Sequence, residues 1–117
     1  MSAEQPVDLD KALQWLEGDR RMLERIRVMF LKNMPVQVAA LEESLRLGDA
    51  DAAERMAHTI KGSAAMMGAG RMSSLAAEVE RSVMESDLPG EAALRFAEFF
   101  AAYRQVMAAL TAYGEQP

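Results

Sequence analysis

DRRMLERIRVMFLKNMPVQVAALEESLRLGD, residues 19–49, carries the longest regular signal in the chain. Leu23, Ile26, Phe30, Met34, Val38, Leu41 and Leu45 recur at intervals of three and four, which on an α-helix places them on one stripe and predicts a single long amphipathic helix. Asp19 is suited to cap its start, while Gly48 suits a left-handed stop and Asp49 the cap of the next helix. Pro35 falls inside the run and removes a backbone donor, so either a kink or a break into two helices is expected there. The stripe continues on both sides of Pro35, which favours the kink.

The same periodicity extends outward. Upstream, Asp8 can cap a short helix carrying Leu9, Leu13 and Leu16, stopped by Gly18 and placed as a lid. Downstream, a helix running to about Gly68 has Ala53, Met56, Ala57, Ile60, Ala64 and Met67 on its apolar face, with His58, Lys61, Gly62 and Ala65 on the other side. Gly68, Ala69 and Gly70 interrupt the pattern. Met72, Leu75, Ala76, Val79 and Val83 form a fourth stripe ending before the turn Leu88-Pro89-Gly90. A last helix carries Phe96, Phe100, Tyr103, Met107 and Leu110, with Gly114 and Pro117 at its end. Short connections make sequential helices neighbours, so the expected fold is all-α: an antiparallel up-down four-helix bundle with a short additional N-terminal helix. Residues 1–117 read as one domain with loose ends at about 1–7 and 114–117, and those ends suggest a free-standing domain.

Composition narrows the possible functions. With 117 residues, 50% of them hydrophobic and 26% charged, the chain has enough apolar surface for one core. A formal charge of −5 argues against a general nucleic-acid binder. No run reaches the roughly 18 apolar residues of a membrane span and the start lacks signal-peptide regions, so no membrane role and a cytoplasmic location are expected. There is no cysteine, which removes disulfides, thiolate metal sites and thiol nucleophiles. The polar, acidic exterior makes a monomer the simplest expectation. Most of the ten methionines fall on core stripes, where filling is the simpler role. Met22 or Met34, Met56, Met67, Met72 and Met107 are so placed, while Met66 could border an exposed face.

His58 is the only histidine. Bundle metal centres draw several histidines and carboxylates inward, whereas this residue points outward with only Glu54 one turn before it, so no intrinsic metal or other cofactor is expected. Ser63 lies five residues on, about 140° around the helix, so the two do not share a face as a nucleophile and base would. There is no phosphate-binding glycine loop of the ATP-binding kind. Gly62 costs roughly 1 kcal/mol in a helix interior relative to alanine. Close approach of another surface explains its place one turn after the histidine.

The run Ala57-His58-Thr59-Ile60-Lys61-Gly62-Ser63-Ala64, with Met67-Gly68-Ala69 and the segment Leu75 through Glu80, resembles the signature of histidine-containing phosphotransfer (HPt) domains of two-component phosphorelays. Asp19 through Leu45 and Gly48-Asp49 resemble the preceding helix and turn, so the likeness spans nearly the whole chain. It implies a phosphorelay carrier, not a kinase or other enzyme, whose surface histidine reversibly takes a phosphoryl group from a receiver-domain aspartate and passes it to another. By this resemblance His58 is the phosphoacceptor, Lys61 the cation that offsets phosphoryl charge, and Gly62 the small residue that admits the partner. Arg55 could share the charge role, with a solvated face as the alternative for both cations. The implied partners are response-regulator receiver domains and hybrid sensor kinases, which would bring the magnesium. Docking is expected around Arg55 and Ala65, and on Ser74, Ala77 and Arg81 of the next helix. The rival reading is a degenerate HPt-like scaffold that sequesters receivers or kinases without transferring phosphate.

Overall fold

The computed structural model describes residues 5–85 and 90–114. Within them lie five helices: α1 (Leu9–Trp15), α2 (Arg20–Leu47), α3 (Ala50–Met66), α4 (Gly70–Glu85) and α5 (Glu91–Gly114). Helices α2 to α5 form the antiparallel up-down bundle expected, each packed on the next and α2 closing against α5. The starts of α1, α2 and α3 are set by side-chain caps. Asp8, Asp19 and Asp49 accept from the backbone N–H of Lys11, Met22 and Ala52 at 3.1, 3.0 and 3.1 Å, satisfying donors that the first turn would otherwise leave orphaned. Gly48 ends α2 in the left-handed region at φ 71°, where a Cβ would be strained.

Helix α2 runs through Pro35 without a break, so the two-helix alternative is excluded. Its buried face is Leu23, Phe30, Met34, Val38 and Leu41, joined by Arg27. Arg27 was not foreseen as a core residue. Its guanidinium donates to the Leu110 carbonyl at 2.8 Å and to both oxygens of Glu24 at 2.9 and 2.6 Å. The charge is therefore paired, and it ties α2 to the end of α5. Of the two methionines weighed for α2, Met34 is buried and Met22 exposed.

Helix α3 buries Ala53, Ala57, Ile60 and Ala64, and α4 buries Met72, Ala76, Val79 and Ser82. Small side chains on both helices allow close approach of the backbones, and this is the most extensive helix pair of the bundle. In α5 the expected face requires correction. Phe96, Phe99, Ala102, Val106 and Leu110 are buried, whereas Phe100, Tyr103 and Met107 only flank the core. The helix is apolar over so wide an arc that spacing alone fits two overlapping stripes, and packing selected the one through Phe99.

Helix α1 is fastened where α3 turns into α4. The Asp8 N–H donates to the Gly68 carbonyl at 2.8 Å, Ala12 is fully buried, and Leu9, Leu13 and Leu16 pack partly against the core. Gly68 has φ 74°, and a Cβ there would stand 2.1 Å from the Asp8 carbonyl oxygen. The glycine is thus required twice, by its conformation and by the chain that crosses it. Of the ends expected to be loose, residues 1–4 and 115–117 lie outside the described residues, Val7 packs on the core and Gly114 ends α5. Leu88 and Pro89 of the expected turn also fall outside them.

Candidate functional site

His58 sits near the middle of α3 on the face opposite Ala57, Ile60 and Ala64. Its side chain keeps 67% of its surface exposed. One turn on, Gly62 is exposed, and outside its own helix no atom lies within 4 Å of where a Cβ would stand. Nothing inside the fold demands glycine there. Ala65 continues the same cleared strip and is exposed, as is Arg55 at its other end.

The ring is held from the neighbouring helix. Glu80 of α4 places Oε2 2.9 Å from His58 Nδ1 and Oε1 2.9 Å from Lys61 Nζ, so one carboxylate bridges both side chains of α3. Its side chain is 16% exposed. The Lys61 ammonium first, and the His58 ring after it, hold the Glu80 carboxyl below its ordinary value against the opposing effect of burial. An ionised carboxylate only accepts hydrogen bonds. Nδ1 must therefore carry the proton that bonds it, which leaves the neutral ring with its lone pair on Nε2. Seven residues before Glu80, on the same side of α4, the Ser73 hydroxyl donates to the Lys61 carbonyl at 2.9 Å. Ser73 and Glu80 thus tie α4 to the turn of α3 that bears the site.

The expected site residues come together unequally. His58, Lys61, Gly62 and Ala65 share one face as anticipated. Lys61 is engaged by Glu80 instead of standing free beside the ring. On α4 the residues that reach the site are distinct from the exposed docking positions expected there. Ser73 and Glu80 face α3, whereas Ser74 and Arg81 are exposed one step around the helix, Arg81 paired with Glu78. Ala77 is half-buried between them. Glu54 is not the carboxylate on the ring; Glu80 holds that place. Met66 is exposed and lines an apolar groove between α2 and α3 with Ile26, Met29, Asn33 and Ser63.

Glu80 is the functional candidate that sequence reasoning missed. It falls within the segment Leu75–Glu80 and stands beside Val79 of the core stripe, at the edge where a carboxylate meets the next helix. That position was its only signal. Among the described residues no group of three or more histidine, cysteine or acidic side chains is placed to hold a metal ion, and no helix is long and apolar enough to cross a membrane.

Comparison with known proteins agrees with this geometry. A solved structure, the crystal structure of the HPT domain from an Hpt sensor hybrid histidine kinase of Shewanella, has the same fold, with a TM-score of 0.80 at 17% sequence identity over 92% of each chain. No curated protein sequence matches. Residues 25–113, from the first turns of α2 to the end of α5, match the family model of the Hpt domain. An all-α bundle, a cleared surface histidine and a match over most of the chain lead to one assignment: the protein belongs to the Hpt domain family.

Proposed function

We propose that this Hpt domain carries phosphate by accepting a phosphoryl group on Nε2 of His58 from a receiver-domain aspartate and returning it to another. The observation that carries the reading is the exposed His58 ring held at Nδ1 by Glu80, which leaves Nε2 as the nitrogen not engaged by that bond. In the forward step the Nε2 lone pair forms the N–P bond while the P–O bond to the aspartate breaks, and the electron pair leaves with the carboxylate. The proton on Nδ1 stays in place. The ring gains positive character as the bond forms, and the adjacent Glu80 carboxylate stabilises it. Lys61 keeps Glu80 ionised and offsets part of the phosphoryl charge, and Gly62 with Ala65 leaves room for the partner to bring its aspartate in line. The magnesium and the remaining charge-stabilising groups belong to the receiver. Arg55, Ser74, Ala77 and Arg81 form the rim of the contact. The carrier performs no ATP-dependent phosphorylation of its own and works with receiver domains, including those of hybrid sensor kinases, in the cytoplasm.

The test is transfer from a phosphorylated receiver to the purified protein. Label should appear on the wild type as acid-labile phosphate and be absent from His58→Ala. A stable complex with the receiver but no label on the wild type would overturn the carrier reading in favour of a sequestering scaffold.

A further inference from the structure

Three side-chain hydrogen bonds join α3 to α4 among the described residues, and they differ in what they grip. Glu80 makes two of them, to Nδ1 of His58 and to Nζ of Lys61, both at the tips of rotatable side chains. Ser73 makes the third, and its hydroxyl reaches the backbone of α3 at the Lys61 carbonyl. Hydroxyls on helices commonly bond back into their own preceding turn. Ser44, Thr59, Ser82 and Thr111 do so here, to carbonyls three or four residues earlier; Ser73 crosses to another helix instead. A carbonyl inside a helix receives the N–H four residues on and keeps a second lone pair, which is free for this hydroxyl. The peptide it grips joins Lys61 to Gly62, the only glycine inside α3 and the point where that helix has most backbone freedom to lose.

We infer that Ser73 is a positioning residue for the proposed transfer: by fixing where α4 stands along α3 it holds the Glu80 carboxylate against the His58 ring. The residues these two helices bury include Ala53, Ala57, Ala64 and Ala76, and apolar contact is non-directional, so small side chains of this kind permit sliding and rotation. The bond to Lys61 Nζ does not prevent such movement, because the flexible four-carbon stem follows the carboxylate. The bond from Ser73 does, since a hydroxyl one carbon from its backbone meets a backbone carbonyl. Ser73 and Glu80 are seven residues apart, two turns along one face of α4, so a register set at the first is carried by the helix to the second. Lys61 is thereby held at both ends, its carbonyl by Ser73 and its ammonium by Glu80, and the spacing of the two grips fixes the height of the carboxylate beside the ring. The effect of Ser73 on rate rests on the carrier reading, whereas its effect on the ring can be read without phosphate.

Nitrogen-15 NMR of the imidazole tests the placement, since the only histidine gives one set of ring signals. At about pH 8, where an ordinary imidazole is neutral, the wild type should carry its proton on Nδ1. Ser73→Ala should move both ring nitrogens towards the averaged signals of an imidazole exchanging between its tautomers, and Ser73→Thr, which keeps the hydroxyl, should keep the wild-type signals. Single-turnover transfer at saturating phosphorylated receiver should slow by between about twofold and tenfold in Ser73→Ala, the range that one neutral hydrogen bond is worth, with the half-saturating concentration unchanged. In a Glu80→Ala background the further change Ser73→Ala should alter neither the ring nor the rate, because the residue through which Ser73 acts is gone. A Ser73→Ala protein that unfolds more easily yet keeps the wild-type ring signals and rate would overturn the proposal and leave the hydroxyl to the fold alone. So would a Ser73→Thr protein no better than Ser73→Ala, a raised half-saturating concentration in place of the slower step, or an undiminished effect of Ser73→Ala in the Glu80→Ala background. A wild type that takes no label while its ring signals respond as described would sink the carrier reading and uphold the placement of Glu80 by Ser73.

Discussion

Replacing Gly62 by alanine should make this protein more stable and a poorer phosphate carrier. Gly62 lies in the interior of α3, where glycine is about 0.8–1.0 kcal/mol less favourable than alanine because it loses more backbone freedom on folding. Since the space beyond its Cα is empty, an added methyl meets nothing that could offset that gain. Gly62→Ala should therefore raise the unfolding free energy by about 1 kcal/mol, which at a urea m-value of about 1–3 kcal/mol/M moves the midpoint up by roughly 0.3–1 M. The cost should appear at the intermolecular step. A methyl one turn from His58 intrudes on the surface the receiver must approach, and Gly62→Gln should slow transfer by at least about tenfold, or about 1.4 kcal/mol. Chemical denaturation followed by circular dichroism gives the first quantity, and a time course of label moving from a phosphorylated receiver gives the second. Destabilisation by Gly62→Ala would refute the reasoning, because the glycine would then serve the fold. Unchanged transfer in Gly62→Gln would refute the steric role.

Gly68→Ala should behave in the opposite way. The left-handed backbone alone costs roughly 1–2 kcal/mol, and the collision with the Asp8 carbonyl should also detach α1, giving a total loss of about 3 kcal/mol or more once the Asp8 bond and the packing of Ala12 are lost. Faster hydrogen exchange at the backbone amides of α1 would report the release, and unchanged exchange with an unchanged midpoint would count against the crossing described. Glu80→Gln should slow transfer while leaving the bundle folded, because a neutral amide can no longer stabilise the charge that develops on the ring. It also has a pH signature. The folded-state value of Glu80 lies below its ordinary 4.5, so its contribution is present above that value and is lost as pH falls through the lower folded one. The stability gap between wild type and Glu80→Gln, on the order of 1 kcal/mol at neutral pH after allowance for the exposure of both partners, should close in acid. A gap independent of pH would rule out the ionic bridge.

The parts legible in the sequence were those whose geometry is local to one helix. His58, Lys61, Gly62 and Ala65 share a face because they lie within eight residues of each other, and helical spacing fixes that face wherever the helix is placed. The stripes of α2, α3 and α4 and the aspartate caps of α1, α2 and α3 follow from the same local rule. Glu80 is 22 residues from His58 on another helix, and its reach depends on how α4 slides and turns against α3, which no single-helix pattern encodes. Ser73 went unread for the same reason: one residue is about 100° of rotation, and the rotation of α4 was settled by packing. Phe99 was missed for a related reason, since α5 is apolar over too broad an arc for spacing to choose its buried line. Arg27 was missed because a charged side chain enters a core only when its partners are in place, and Leu110 lies 83 residues away.

The bridge at Glu80 makes the proposed phosphoacceptor sensitive to mechanics. Its two oxygens hold side chains of α3 from a position on α4, and the hydrogen bond to the ring is only 2.9 Å long. A slide of α4 by the rise of one residue, about 1.5 Å, would break it and free the ring to turn, and the choice of reactive nitrogen would go with it. In the proposed carrier the rate of transfer is therefore a gauge of the alignment between two helices. Substitutions at Ala57, Ala64 or Ala76, buried among the helices that set that alignment, can mute His58 without touching it.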